Sequence, residues 1–362
     1  MKPSPKYRRA AALLLILTLL LSGCALVPLE KNHLPEPVPL VPEPISPIQE
    51  QASGFEEGMP VEDQEQRRGE GHSIVRSGEA DPDPSAVTFY PEFPSDLHLL
   101  SGQAFVYDVD QGGVVAIRNR DERLAPASVT KLLTILTALQ YLSPDQLVVP
   151  GEELSLVAWD STLAYVNSGH IVSVETLIEG MLLPSGNDAA YVLAAAAGRK
   201  IAGEDPYCAT PGGISAADAV ELFVGEMNTF AQTLFMRDSH FVRPDGYSDE
   251  NHYTTVTDMA RLAIAAYDCE LIRRYCGVLY DDVTYASGHT IRWKNTNEML
   301  NPESVWYDPC VKGMKTGSLT GACALVTVLQ KDGRTYLAAV FTAPDNESRY
   351  QDMTAIIKWL FK

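Results

Sequence analysis

Three short segments carry the residues whose types and spacing could activate a hydroxyl. They are Ser128-Val129-Thr130-Lys131, Ser185-Gly186-Asn187, and Lys315-Thr316-Gly317 followed by Ser318. A serine hydroxyl is a weak nucleophile and needs a base beside it. Residues three apart on a helix share a face, so the Lys131 amine can reach the Ser128 oxygen. A lysine acts as a base only when neutral, a state favoured by burial and by a second cation nearby, such as Lys315. Pro126 cannot continue a helix, so the helix is expected to begin near Ala127 or Ser128. The serine then gains the helix dipole and free N–H groups for a developing anion. Pro184 and Gly186 mark a loop that could present Ser185 and Asn187 at a surface. On an edge strand, Gly317 would let a ligand approach the backbone, and Lys315 and Thr316 could hold its anionic end.

Singly, these segments are weak signals. At average serine and lysine abundance a chain of this length holds about one S-x-x-K by chance, and S-x-N is about as frequent. K-T-G is expected in roughly one such chain in ten, so it carries more weight. Taken alone, each fits a capping serine, a polar turn or a solvated strand. Order, spacing and context argue otherwise. The histidines do not compete: His170, His240, His252 and His289 are scattered, and no serine sits in a G-x-S-x-G elbow. His252 reads as a structural contact in the Asn251-His252-Tyr253 turn.

The elements that must position these residues begin near Leu97. Gly102–Asp110 and Gly113–Arg118 read as a hairpin, and Ser128–Leu142 as a helix. Further helices are expected over Leu177–Leu183, Ala189–Ala202, Ala216–Phe235 and Val256–Tyr267. Strands follow at Val311–Gly317, Ala322–Leu329 and Thr335–Thr342, and a last helix at Ser348–Phe361. Strands at both ends around a helical middle imply an α/β (α+β) domain over 97–362. Its sheet is assembled from distant segments and flanked by helices, with a helical lobe inserted over about 145–280.

The chain ahead of this domain is different. Lys2, Lys6, Arg8 and Arg9 precede the apolar run Ala10–Leu21, too short to span a bilayer core of about 30 Å. The run ends in Leu21-Ser22-Gly23-Cys24, which resembles the bacterial lipobox. That resemblance implies a signal peptide over 1–23, diacylglycerol on the Cys24 thiol, and an extracytoplasmic protein anchored to the membrane. Residues 24–96 are Pro- and Glu-rich and expected to be an extended, disordered linker. The formal net charge is -19, with acidic residues in excess in linker and domain alike, which argues against a nucleic-acid partner. Cys208, Cys269, Cys276, Cys310 and Cys323 are an odd, scattered set and a poor disulfide framework. No Cys or His cluster calls for a metal, and nothing suggests an organic cofactor.

The three motifs together resemble the signature of penicillin-binding proteins and serine β-lactamases, most of all the low-molecular-mass D-alanyl-D-alanine carboxypeptidases. Pro126–Thr134 is similar to their nucleophile helix and Leu182–Ala190 to their second-motif block. Phe241–Gly246, Asn251–Thr255, Asn295–Asn297 and Gly313–Gly317 extend the resemblance across about 98–362. It implies a transpeptidase-like antiparallel sheet flanked by helices, and removal of the terminal D-alanine from peptidoglycan stem pentapeptides through an acyl-enzyme. Ser128 would be the nucleophile and Lys131 its base. Ser185 would relay the proton, Asn187 would position Lys131 and the substrate amide, and Lys315, Thr316, Gly317 and Ser318 would line the carboxylate site. Backbone N–H groups of Ser128 and Ser318 would form the oxyanion hole, and β-lactams would acylate Ser128.

Two departures stand out. Many members continue into a β-rich domain and an anchoring helix, whereas this chain ends about 45 residues after K-T-G, with the lipobox in the anchor's place. Gly186 stands where Ala or Asp is frequent, with its side chain expected to point away. A serine β-lactamase shares fold and nucleophile and differs by rapid penicillin turnover. Glu221 lies where such an enzyme needs a deacylating carboxylate, but reads as a surface residue of an amphipathic helix. A non-catalytic β-lactam sensor or wall-binding protein is the reading from another class.

Overall fold

The computed structural model describes residues 91–362. The expected signal peptide, Cys24 and all but the end of the linker lie outside the described residues.

The sheet is built from both ends of this region. β1 (Gln103–Asp108) and β2 (Gly113–Arg118) form the first hairpin. β7 (Val311–Leu319), β8 (Ala322–Lys331) and β9 (Arg334–Ala343) form a meander. The strand order is β2-β1-β9-β8-β7, antiparallel throughout. Asp332 and Gly333 close the β8–β9 turn with φ of 52° and 77°, the pair of positive values that a two-residue type I′ hairpin needs. The K-T-G strand β7 is an edge, as expected.

Period-two alternation supplies two cores. Ala104 and Val106 on β1, with Tyr336, Ala338 and Val340 on β9, face one side. There they meet Met353, Ile356 and Ile357 of α7 (Asn346–Leu360). The Asp352 carboxylate on α7 accepts the Leu100 and Ser101 N–H groups at 2.9 and 2.6 Å, locking helix to sheet. Phe105 and Tyr107, with Leu337, Ala339 and Phe341, face the helical side.

That side holds α1 (Thr130–Ala138), α2 (Val174–Leu182), α3 (Asn187–Ile201), α4 (Ala216–Thr233), α5 (Val256–Asp268) and α6 (Glu270–Tyr275). Ser173, Ser215 and Thr255 cap α2, α4 and α5 by accepting the N–H three residues on. α3 is the buried axis of the lobe, and its alanines 189, 190 and 194–197 let neighbours approach closely. A Cβ on Gly198 would lie 1.8 Å from the Ala219 carbonyl oxygen of α4. Two short ribbons complete the region: β3 (Leu147–Val148) with β4 (Val172–Ser173), and β5 (Tyr280–Thr284) with β6 (Thr290–Lys294).

The expected elements are present with ends shifted by a few residues, and α6, the β3–β4 ribbon and the β5–β6 hairpin are additions. The packed domain includes residues ahead of Leu97. The Pro91 carbonyl accepts the Ile117 N–H at 2.8 Å, and Phe93 packs on Trp359 at 5.4 Å, so 91–96 belong to the domain and not to the linker. Cys208, Cys269, Cys276, Cys310 and Cys323 are all free thiols.

Candidate active site

The Ser128-Val129-Thr130-Lys131 segment does not begin directly as an α-helix. Ala127–Val129 forms a tight 3-10 turn, and α1 starts at Thr130. Ala127 adopts φ 50°, a left-handed conformation that costs a non-glycine residue roughly 1–2 kcal/mol. Two glycines hold it there. A Cβ on Gly317 of β7 would lie 2.9 Å from the Ala127 Cβ and 3.2 Å from the Pro126 oxygen. On Gly246, itself at φ 79°, a Cβ would lie 1.9 Å from the Ala127 oxygen. The close approach expected at Gly317 is therefore made by the chain's own Ala127–Val129 turn. Ser128 emerges half-buried from this clasp.

Lys131 is wholly buried, and its Nζ meets three oxygens: Ser128 Oγ at 2.9 Å, Asn187 Oδ1 at 2.7 Å and the Asp245 carbonyl at 3.0 Å. Two of these can only accept. A neutral amine gives its two N–H bonds to Asn187 and Asp245 and turns its lone pair to the Ser128 hydroxyl. Burial lowers the Lys131 pKa to about 8, against the opposing pull of the Asp245 and Asp188 carboxylates. Repulsion between the two lysines acts on the other partner. Lys315 falls well below the usual lysine range, through burial first and then the charges of Lys131 and Arg349.

Ser185 sits in the turn between α2 and α3 at φ 63°. Its hydroxyl takes a hydrogen bond from Lys315 Nζ at 2.8 Å, and its carbonyl accepts from Thr162 Oγ1 at 2.8 Å. Asn187 opens α3, and its Nδ2 donates to Ser161 Oγ at 2.9 Å. The Asp188 carboxylate binds the Ala164 and Val166 N–H groups at 2.8 and 2.9 Å, fixing the 161–166 loop against this turn. Gly186 departs from the expected small effect of a side chain there, because the position has no room for one. Its Cβ would lie 2.6 Å from the Ala164 backbone nitrogen.

Two serine–lysine pairs thus lie at the cleft, Ser128 with Lys131 and Ser185 with Lys315. The cavity above them, about 440 Å³, is lined among others by Ser128, Thr162, Ser185, Thr316, Ser318 and Arg349. Along β7 the residues alternate in facing. Thr316 and Ser318 line the cavity, while Lys315 is turned to Ser185 and to the Thr316 carbonyl at 3.0 Å. Thr316 Oγ1 is paired with Thr296 Oγ1 at 2.6 Å.

Arg349 is absent from the sequence-derived set. It lies on α7, buried, and its Nη1 donates to the Gly317 carbonyl at 2.8 Å, Ser318 Oγ at 3.0 Å and the Ala324 carbonyl at 3.2 Å. No motif marks it. Only its place one helical stretch beyond the β7–β9 meander could have pointed to it. His252 is structural, as expected. Its Nδ1 accepts the Val242 N–H at 3.2 Å, which leaves Nε2–H to donate to Thr130 Oγ1 at 2.9 Å. Burial lowers its pKa to about 4, so the ring is neutral at physiological pH. Glu221 is exposed on α4, away from the cleft lining.

Comparison with known proteins points one way. The sequence profile of the D-alanyl-D-alanine carboxypeptidase family matches residues 91–206 and 213–345. A D-alanyl-D-alanine carboxypeptidase of Streptomyces sp. strain K15 is 30% identical over 260 residues, 69% of this chain and 83% of that protein. D-alanyl-D-alanine carboxypeptidase DacF of Bacillus subtilis is 26% identical over 74% of this chain, and the match spans 64% of the relative's length. Among solved structures, the Streptomyces K15 DD-transpeptidase superposes with a TM-score of 0.63 at 28% identity, covering 73% of this chain and 98% of that one. Penicillin-binding protein D2 of Listeria monocytogenes, solved with ampicillin bound, shares the fold at a TM-score of 0.57 and 24% identity. With well over half of its length matched by one family profile, the chain belongs to the D-alanyl-D-alanine carboxypeptidase family.

Proposed function

We propose that the chain is a serine D-alanyl-D-alanine carboxypeptidase acting on peptidoglycan stem pentapeptides. The observation that carries this is the Lys131 amine, buried and held by Asn187 and Asp245 with its remaining site on Ser128 Oγ. The substrate carboxylate lies against Thr316, Ser318 and the Arg349 guanidinium, groups that favour a free chain end. Ser128 Oγ attacks the carbonyl between the two D-alanines as its proton passes to neutral Lys131. Backbone N–H groups of Ser128 and Ser318 receive the oxyanion. The proton then reaches the departing D-alanine nitrogen through Ser185, whose own hydroxyl is polarised by Lys315. Water attacks the ester, frees the shortened peptide and returns the proton to Ser128. A β-lactam presents the same acyl group and terminal carboxylate, and acylates the same oxygen.

Export and anchoring rest on the N-terminal sequence. The basic start, the short apolar run and Leu21-Ser22-Gly23-Cys24 support cleavage before Cys24 and lipidation of its thiol, with 24–90 as a tether on the outer face of the membrane.

The test is release of D-alanine from a pentapeptide ending in D-Ala-D-Ala. Wild type is expected to release it and Ser128→Ala is not. A wild type that forms a penicillin adduct at Ser128 but frees no D-alanine would leave the acylation chemistry standing and remove the carboxypeptidase.

A further inference from the structure

Asn295–Asn297, the segment that leaves β6, lies beside the edge strand β7, and Asn295 and Thr296 line the active-site cavity. The segment is pinned without help from the Thr296 side chain. The Thr296 N–H donates to the Leu183 carbonyl at 3.1 Å, and its carbonyl accepts the Tyr350 hydroxyl at 3.0 Å. Asn295 Nδ2 donates to the Cys276 and Val278 carbonyls at 3.1 and 3.0 Å. The Thr296 hydroxyl is left for another partner, and it meets Thr316 Oγ1 at 2.6 Å.

The direction of that hydrogen bond follows from what the cavity must bind. The proposed substrate ends in a carboxylate, which at neutral pH accepts hydrogen bonds and donates none. A hydroxyl has one proton, so Thr316 can serve the carboxylate only if Thr296 is the donor within the threonine pair. Ser318, two residues along β7 on the same face, is differently placed. Its Oγ takes a hydrogen bond from Arg349 Nη1 at 3.0 Å and gives its own to Asn346 Oδ1 at 3.2 Å. The Ser318 proton therefore has a protein acceptor, whereas that of Thr316 is left for a ligand once Thr296 donates. A hydroxyl that accepts one hydrogen bond gives a stronger one in turn, the more so where water is excluded.

We infer that Thr296 is a positioning residue: its hydroxyl donates to Thr316 Oγ1 and so commits the Thr316 proton to the terminal carboxylate of the substrate. This role depends on the carboxypeptidase reading of the cleft, in which that carboxylate meets Thr316. It makes the effect of Thr296 conditional on the charge of the substrate end.

Thr296→Val keeps the shape of the side chain and removes the donor, and Thr296→Ser keeps the donor. The test is the second-order rate of Ser128 acylation by benzylpenicillin, which carries a carboxylate, and by its methyl ester, which does not. Melting temperatures check folding and are expected to stay near that of the wild type. The wild type is expected to react faster with the acid. Thr296→Val is expected to lower the rate for the acid about fivefold, the worth of one hydrogen bond, and to leave the rate for the ester unchanged. Thr296→Ser is expected to keep both rates. In a Thr316→Val background, Thr296→Val is expected to add no further loss, because its acceptor is gone. For D-alanine release the same substitution is expected to raise KM about fivefold at constant kcat, as loss of a contact to the carboxylate in both ground and transition states would. An unchanged rate for the acid in Thr296→Val, equal losses on acid and ester, Thr296→Ser as slow as Thr296→Val, or additive losses with Thr316→Val overturn the role. A wild type that frees no D-alanine removes the carboxypeptidase reading instead, and the penicillin rates still decide for or against Thr296.

Discussion

Replacing Asp245 by asparagine is expected to shift the pH at which Ser128 becomes reactive. In the proposed mechanism acylation needs neutral Lys131, and its pKa of about 8 means that only about one molecule in eleven is ready at pH 7. Burial sets this value, but the Asp245 carboxylate opposes burial by favouring the charged amine. Asparagine preserves the geometry. The Asp245 backbone carbonyl still accepts Lys131 Nζ, and a side-chain oxygen still takes the Tyr247 N–H, now at 3.0 Å. Removing one nearby charge from a buried site lowers the amine pKa by about one unit, or about 1.4 kcal/mol. The neutral fraction at pH 7 then rises from about 9% to about half, a gain of about fivefold. The assay is the second-order rate of Ser128 acylation by a fluorescent penicillin between pH 6 and 10. Wild type is expected to climb about tenfold per unit below pH 7 and level above pH 9. In Asp245→Asn the whole curve moves to lower pH with its plateau retained. A midpoint that stays in place or moves up, or a wild-type rate flat across this range, refutes the argument that a neutral Lys131 is the base.

Arg349→Leu is expected to lower kcat/KM for D-alanine release by about 10- to 100-fold, and Arg349→Lys to recover little, because a lysine cannot reproduce the guanidinium fork. Gly317→Ala forces the Ala127 turn off β7 and is expected to cost about 1–3 kcal/mol in denaturant unfolding, with slower penicillin labelling. Gly186→Ala, driven against Ala164, is expected to cost a similar amount, about 1–3 kcal/mol, by the same measurement. Burial pushes the Cys276 thiol up to about 12, so it is expected to resist disulfide reagents in the native protein and to react once unfolded.

The sequence was most legible where chemistry and periodicity are local. Ser128 and Lys131 share a helical face whatever surrounds them, and alternation along β8 and β9 follows from apolar residues two apart. What escaped depends on distant segments meeting. Arg349 has no motif, since its partners are carbonyls of β7 and β8 reached only through the tertiary fold. Gly186 and Gly317 were legible as glycines but not in purpose, because the atoms they make room for, on Ala164 and Ala127, lie far away in sequence. The start of the domain was placed late because Pro91–Asp96 is polar and proline-rich, and only its pairing with Ile117 and Trp359 makes it part of the globule. In the β5–β6 hairpin, β6 alternates polar and apolar residues, but its partner β5, Tyr280–Thr284, does not, because Asp281 and Asp282 are adjacent.

The pairing of β1 with β9 has a consequence for the order in which the molecule can come into being. A ribosome completes Gln103–Asp108 long before Phe341, the partner of Gln103, exists. Until then the central strand is missing, and a lone two-stranded ribbon is marginally stable in water. Contacts of such long sequence separation also form slowly. The five-stranded sheet therefore closes only once β9, the partner of both β1 and β8, has been made.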